Sequence, residues 1–158
     1  MRSGPGTEYE EINVENILVS ACLLGYKCKY DGGTNTISPE NVDKLRQKYK
    51  LIPVCPETAG GLPTPRKPSE RQGSRVVNSA GEDVTAQYIK GAECALVLAK
   101  RYKCSMALFK EKSPSCGSGK IYDGSFSRRL VSGDGVTSEL LKKSGIKIVG
   151  EKSLESLI

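Results

Sequence analysis

Residues Ile17 to Leu24, I-L-V-S-A-C-L-L, form a near-continuous apolar run closed by Gly25. A run this short and this uniformly apolar reads as a strand covered on both faces, as in the parallel sheets of α/β proteins. A parallel partner needs a crossover connection, usually a helix, and the rest of the chain supplies such units. Ser38-Pro39-Glu40 opens a helix through about Tyr49, with Ser38 as N-cap, Pro39 at the first helical position, and Val42, Leu45 and Tyr49 at helical spacing. Leu51 to Val54 is a second buried strand. A long helix is predicted from Thr85, its cap, to about Lys103, with Tyr88, Ala92, Ala95, Leu96 and Ala99 recurring every three or four residues. Met106 to Phe109 is a third strand. Thr137 to Lys143 is helical, Gly145 stops it, and Ile146 to Val149 is the last strand.

Three stretches fall outside this alternation. Arg75 to Thr85 has the pattern and central Gly81 of a short hairpin, and Lys120 to Phe126 reads as a turn or small hairpin about Asp123-Gly124. Thr58 to Gly73 reads as a long irregular connection, the kind that more often carries function than merely joins elements. The fold class predicted is α/β: one doubly wound, mostly parallel (Rossmann-like) sheet with an inserted β-hairpin. It occupies residues 14–158 as one domain, after a flexible lead-in over residues 1–13 that contains Gly4-Pro5-Gly6.

A chain of 158 residues buries enough surface to fold without disulfides, and its polar N-terminus does not read as a signal peptide. The six cysteines are therefore expected as reduced thiols of a cytoplasmic protein, available for metal binding or catalysis. No apolar run approaches the roughly 20 residues that span a bilayer, so no membrane partner is expected. The net charge of +6 suits an anionic partner such as a nucleotide or RNA, or simply solubility. Histidine is absent, which removes Ser-His and Cys-His nucleophile pairs and leaves cysteine, carboxylates and water-derived oxygens as metal ligands. Neither a G-x-G-x-x-G turn after the first strand nor a Walker A loop is present, so a nucleotide cofactor is not indicated.

Cys22, Cys55 and Cys116 each lie at the end of a predicted strand or in the loop just past it. Ligands of open parallel sheets bind outside the carboxyl ends of the strands, and neighbouring strands are only about 4.8 Å apart. Three sulfurs can therefore meet at one small metal centre. Three thiolates without histidine fit structural zinc poorly, since zinc normally fills four positions. They suit an iron–sulfur cluster in which one iron has no protein ligand. Cys28, six residues after Cys22, keeps a four-cysteine alternative open, while Cys94 and Cys104 are read as core residues.

Around the thiols stand candidate acid–base and orienting groups. Glu57, two residues past Cys55, is placed to bring a partly desolvated carboxylate into the same crevice, or else caps a helix. Ser113 and Ser115 flank Pro114 just before Cys116, and either bond a substrate or stabilise the turn. Lys110 and Lys112 are suited to balance cluster charge. Tyr30 and Asp31, in the glycine-rich loop after the first strand, join Ser115 and Lys110 as candidates for substrate contact.

The motifs Ser20-Ala-Cys-Leu-Leu-Gly25, Lys29-Tyr-Asp-Gly-Gly33, Pro53-Val-Cys-Pro-Glu57, Gly60-Gly-Leu-Pro-Thr-Pro-Arg66, Lys112-Ser-Pro-Ser-Cys-Gly117 and Tyr122-Asp-Gly-Ser-Phe126 occur in that order. Together they resemble the TudS-like thiouracil desulfidase family, over roughly residues 15 to 150. The resemblance implies a [4Fe-4S] cluster held by Cys22, Cys55 and Cys116 with one open iron, Glu57 as the acid–base residue and Ser113 as a catalytic or substrate-positioning serine. It implies iron–sulfur-dependent, non-redox hydrolysis of 2- or 4-thiouracil or its nucleosides to uracil and hydrogen sulfide, with the substrate sulfur binding the open iron. The partner is then a small thiolated pyrimidine, with RNA possible. Two alternatives are an enzyme that handles tRNA sulfur and a non-catalytic module that binds metal or nucleic acid.

Overall fold

The apolar runs become the centre of a four-stranded sheet in the computed structural model, which describes residues 14–158; the lead-in expected over residues 1–13 lies outside the described residues. The sheet strands are β1 (Glu15–Ser20), β2 (Tyr49–Val54), β5 (Met106–Phe109) and β8 (Lys147–Gly150), in the order β2-β1-β5-β8 and all parallel. The order reverses at β1, whose neighbours are β2 on one side and β5 on the other. That switch point opens the crevice in which α/β sheets bind ligands.

Successive side chains on a strand point to opposite faces, and the two cores separate accordingly. Leu18, Ile52, Val54, Ala107 and Phe109 face one layer, which α3 (Thr85–Arg101) and α4 (Val136–Lys143) cover with Ala95, Ala99 and Leu141. Ile17, Val19, Leu51, Leu108 and Val149 face the other, closed by Leu45 of α1 (Pro39–Lys48) and by Leu154 and Leu157 of the C-terminal segment. Pro53 is tolerated inside β2 because β2 is an edge strand. Among the described residues no helix is long and apolar enough to cross a membrane.

Several boundaries depart from the sequence expectation. β1 stops at Ser20, and Ala21–Leu24 turns into a short 3-10 helix, so Cys22 sits one turn past the strand. The inserted hairpin exists, but its strands are β3 (Ser69–Gln72) and β4 (Arg75–Asn78), turning at Gly73. The stretch about Gly81 also turns back on β4 as expected, through an isolated antiparallel bridge from Val77 to Asp83 flanked by the bonds Asn78 N–H to Glu82 O and Val84 N–H to Val76 O, each 2.9 Å. The supposedly irregular Thr58–Gly73 connection therefore contains a strand. Its S-E-R-Q sequence has no apolar alternation and is organised by its partner. A second hairpin pairs β6 (Lys120–Tyr122) with β7 (Leu130–Ser132), a wider loop than the one expected about Gly124.

Ser38 caps α1 as expected, its hydroxyl accepting the Asn41 N–H at 3.1 Å. Thr85 is the first residue of α3 rather than its cap, and its Oγ1 accepts the Val76 N–H instead. Just past β2, the short helix α2 (Pro56–Ala59) crosses α3 backbone to backbone. A Cβ at Gly91 would strike the Pro56 carbonyl, and one at Gly60 the Gln87 carbonyl. This crossing of two glycines holds α2, which carries Glu57, against the middle of α3.

Candidate functional site

The carboxyl ends of β1, β2 and β5 open into a cleft of about 590 Å³. Cys22, Cys28, Cys55 and Cys116 all line it, with Glu57, Ser113, Ser115, Lys110, Lys112 and Tyr30. Asp31 is the one candidate outside the lining. Its carboxylate instead accepts the Gly33 N–H at 2.9 Å and lies 3.8 Å from Lys29 Nζ, which closes its own turn. Cys104 is buried in the core, whereas Cys94, expected there too, lies exposed on the outer face of α3.

The loop that carries Cys116 is held from several directions. Its carbonyls face the first turn of α4, where free backbone N–H groups seek acceptors. Val136 N–H bonds Pro114 O (2.8 Å), Thr137 and Ser138 N–H bond Ser115 O (2.9 and 3.2 Å), and Gly135 N–H bonds Gly117 O (2.7 Å). Ser138 adds its hydroxyl to the Cys116 carbonyl at 2.7 Å. Contact is so close at Gly135 that a Cβ there would lie 2.5 Å from the Ser115 carbonyl. Cys116 itself is 4% exposed.

Burial pushes the thiols of Cys22 and Cys116 up from their ordinary value. Cys28 is pushed up to about 12, by burial first and by Cys55 second. Neighbouring sulfurs add to the effect of burial: the charge of Cys55 raises the thiols of Cys22, Cys28 and Cys116, and that of Cys22 raises Cys28 and Cys116. Asn35 Nδ2–H points at Cys22 Sγ at 3.4 Å. Among the described residues no three His, Cys, Asp or Glu side chains are grouped as ligands of a single metal ion.

Both oxygens of Glu57 are engaged. Arg66 Nε–H donates to Oε1 and the Ser115 hydroxyl donates to Oε2, each at 2.9 Å, and the Glu57 side chain is only 14% exposed. A hydroxyl has one proton. With that of Ser115 given to Glu57, the 2.9 Å contact between the two serine hydroxyls must be donated by Ser113. Ser113 Oγ in turn accepts the N–H groups of Ser115 (3.1 Å) and Cys116 (3.0 Å). The result is an ordered row, Ser113 to Ser115 to Glu57, with half-buried Ser113 at its outer end and Ser115 inside it.

Arg66 is a functional-site residue that local sequence reading passed over. Besides Glu57 it donates to the Cys28 carbonyl (2.8 Å), the Pro63 carbonyl (3.2 Å) and Thr64 Oγ1 (3.0 Å), tying three loops together. Its motif was the only signal. Tyr88 is another: the α2–α3 crossing brings its buried phenol to the cleft lining. Burial, and then the charge of Glu57, hold that hydroxyl above the usual tyrosine range. Lys110 Nζ–H bonds Glu151 Oε1 at 3.0 Å, and its charge favours the Cys22 thiolate.

The chain as a whole is similar to known proteins. The model of the family described as 2-thiouracil desulfurase matches residues 17–153. The protein YbbK of Bacillus subtilis (strain 168), named as uncharacterized, is 41% identical over 152 residues, covering 90% of this chain and 99% of that one. A solved structure titled [4Fe-4S]-dependent thiouracil desulfidase TudS (DUF523Vcz) superposes with a TM-score of 0.86 at 48% identity, covering 90% of this chain and 95% of that chain.

Proposed function

This chain belongs to the 2-thiouracil desulfurase family, and we propose that it desulfurates a thiolated uracil, 2- or 4-thiouracil or a nucleoside of either, with water as co-substrate and uracil and hydrogen sulfide as products. The observation that carries this reading is the meeting of strand-end thiols and the Ser113–Ser115–Glu57 row in one cleft.

The donor set fits a [4Fe-4S] cluster. The cleft offers soft sulfur ligands, and its thiols, held protonated by burial, need a cationic centre to become thiolates. Cys22, Cys55 and Cys116 would hold it, while Cys28, in the same lining, would not. When bound, the cluster supplies an iron without a protein ligand, a Lewis acid for the substrate's sulfur.

The chain's own residues handle the protons. Glu57 Oε2 is placed to take one from the attacking water, either directly or through the hydroxyl of Ser115, and to return it to the departing sulfur. Arg66 holds Oε1 so that Oε2 keeps its aim. The backbone N–H groups of Ser115 and Cys116 fix the Ser113 oxygen, which leaves its proton free to point along the row.

Anaerobic incubation of the reconstituted protein with 2-thiouracil and with 4-thiouracil, followed by assay of sulfide and uracil, tests this reading. Both products are expected in equal amounts. Glu57→Gln should keep its iron and acid-labile sulfide yet lose activity by about 10²- to 10⁴-fold, the usual range for a positioned acid–base group. Full activity in a Glu57→Gln protein, or activity in a cluster-free one, would overturn it.

A further inference from the structure

Backbone strain in this molecule gathers at the cleft. Lys103, Lys112, Phe126 and Arg128 are the non-glycine residues with positive φ among the described residues, and the last three line the cleft. L-residues with a side chain rarely adopt that conformation, and it persists only where surrounding contacts enforce it. Phe126, at φ 58°, is the instructive case. A phenyl ring gains nothing from a left-handed backbone on a solvent-facing turn, and here it is 38% exposed.

The enforcing contacts come from β3. Glu70 Oε1 accepts two backbone N–H groups of the turn, Gly124 at 3.0 Å and Phe126 at 3.1 Å. Gln72 Nε2–H bonds the Gly124 carbonyl at 2.8 Å. Gly124 sits so close to Gln72 that a side chain there would collide with it. The two hairpins, which share no sheet, are thus joined so that a half-exposed aromatic ring is held over the cleft. Tyr30, from the loop after β1, supplies a second ring to the same lining and is 40% exposed.

We propose that Phe126 is a substrate-contacting residue whose ring packs against the face of the pyrimidine, and that Glu70 is a positioning residue acting through it. The assignment rests on the desulfuration reading for the identity of the flat ligand, and it gives an exposed, strained aromatic a use: a ring face is complementary to any planar base.

The test uses the cluster-loaded enzyme with thiouracil kinetics and, independently of turnover, calorimetric binding of uracil. Phe126→Ala is expected to raise KM and weaken uracil binding by about 5- to 150-fold, the effect of losing one base–aromatic stack, with kcat much less affected. Phe126→Gly should share that defect while its thermal midpoint is at least that of Phe126→Ala, since glycine adopts positive φ freely. Glu70→Ala should move KM the same way, and combined with Phe126→Ala should add nothing. Glu70→Gln, which keeps the accepting oxygen, should restore wild-type KM. Unchanged uracil affinity in Phe126→Ala, or a loss confined to kcat and thermal midpoint, overturns the assignment. A wild-type enzyme that binds uracil but releases no sulfide sinks the desulfuration reading instead.

Discussion

Two loops bring a cysteine to the same cleft and are built in opposite ways. The Cys116 loop is buried and is fixed by five hydrogen bonds from the start of α4, four from backbone N–H groups and one from Ser138. The Cys28 loop is largely exposed, and its hold on the rest of the site runs chiefly through Arg66, which bonds the Cys28 carbonyl with its side chain and the Tyr30 carbonyl with its own N–H. Hydrogen bonds that over-determine a loop remove its freedom to adjust and so preorganise whatever it carries. The Cys28 loop has fewer such ties to the helices behind the site. Under the proposed function, the difference in support makes the Cys116 thiol better suited to a permanent ligand than the Cys28 thiol.

The sharpest way to break this comparison is to exchange the sulfurs. Cys116→Ser should lose cluster and activity together, as iron, sulfide and product assays would report, whereas Cys28→Ser should keep its iron. Loss of iron from both would make the two loops equivalent and Cys28 a fourth ligand.

Backbone substitutions probe the same contrast at smaller cost. Gly135→Ala forces a methyl against the Ser115 carbonyl, and overpacking of this kind costs about 1–3 kcal/mol. Gly32→Ala, in the Cys28 loop, meets nothing within 4 Å and suffers only from its φ of 84°, about 1 kcal/mol. Denaturant unfolding of the two variants should rank them in that order, and the reverse order would mean that the Cys116 loop yields.

The mildest effect is on pH dependence. In the cluster-free protein Cys22, Cys28 and Cys116 have thiol values raised above the ordinary 9.0. An acid whose value is raised on folding binds protons longer in the native state, so stability is whole below pH 9 and declines as pH rises beyond it. The thermal midpoint of the cluster-free protein should fall above pH 9. Cys116→Ser, lacking the deeply buried thiol, should flatten that fall more than Cys28→Ser, whose sulfur is better solvated. Equal slopes would erase the difference in burial.

Much of the fold was legible because burial leaves a periodic mark. Ile17–Leu24 reads as a doubly covered strand, which holds for Ile17–Ser20 before the chain turns into a 3-10 helix, and Met106–Phe109 is the strand expected there, buried at all four positions. The spacing of Tyr88, Ala92, Ala95 and Ala99 marked the inner face of α3, although Cys94 fell on its outer face. β3 was illegible because Ser69-Glu-Arg-Gln72 buries little and takes its conformation from β4. The site divides in the same way. Cys22, Cys55 and Cys116 announced themselves by position at strand ends, and Glu57 by its distance from Cys55. Asn35, Arg66, Tyr88, Glu70 and Ser138 did not, because each acts on a residue far along the chain.

The sequence by itself therefore determined the parallel sheet, the strand ends at which chemistry could gather, and the residue types available to perform it. Those follow from hydrophobic period and from the absence of histidine, which are properties of local stretches and of composition. Only the tertiary structure decided that Ser115 rather than Ser113 bonds Glu57, that Asp31 turns away from the cleft, and that Glu70 on one hairpin holds Phe126 on another. Hydrogen-bond direction and close approach between distant segments depend on how the elements pack, and no periodicity within a segment encodes them.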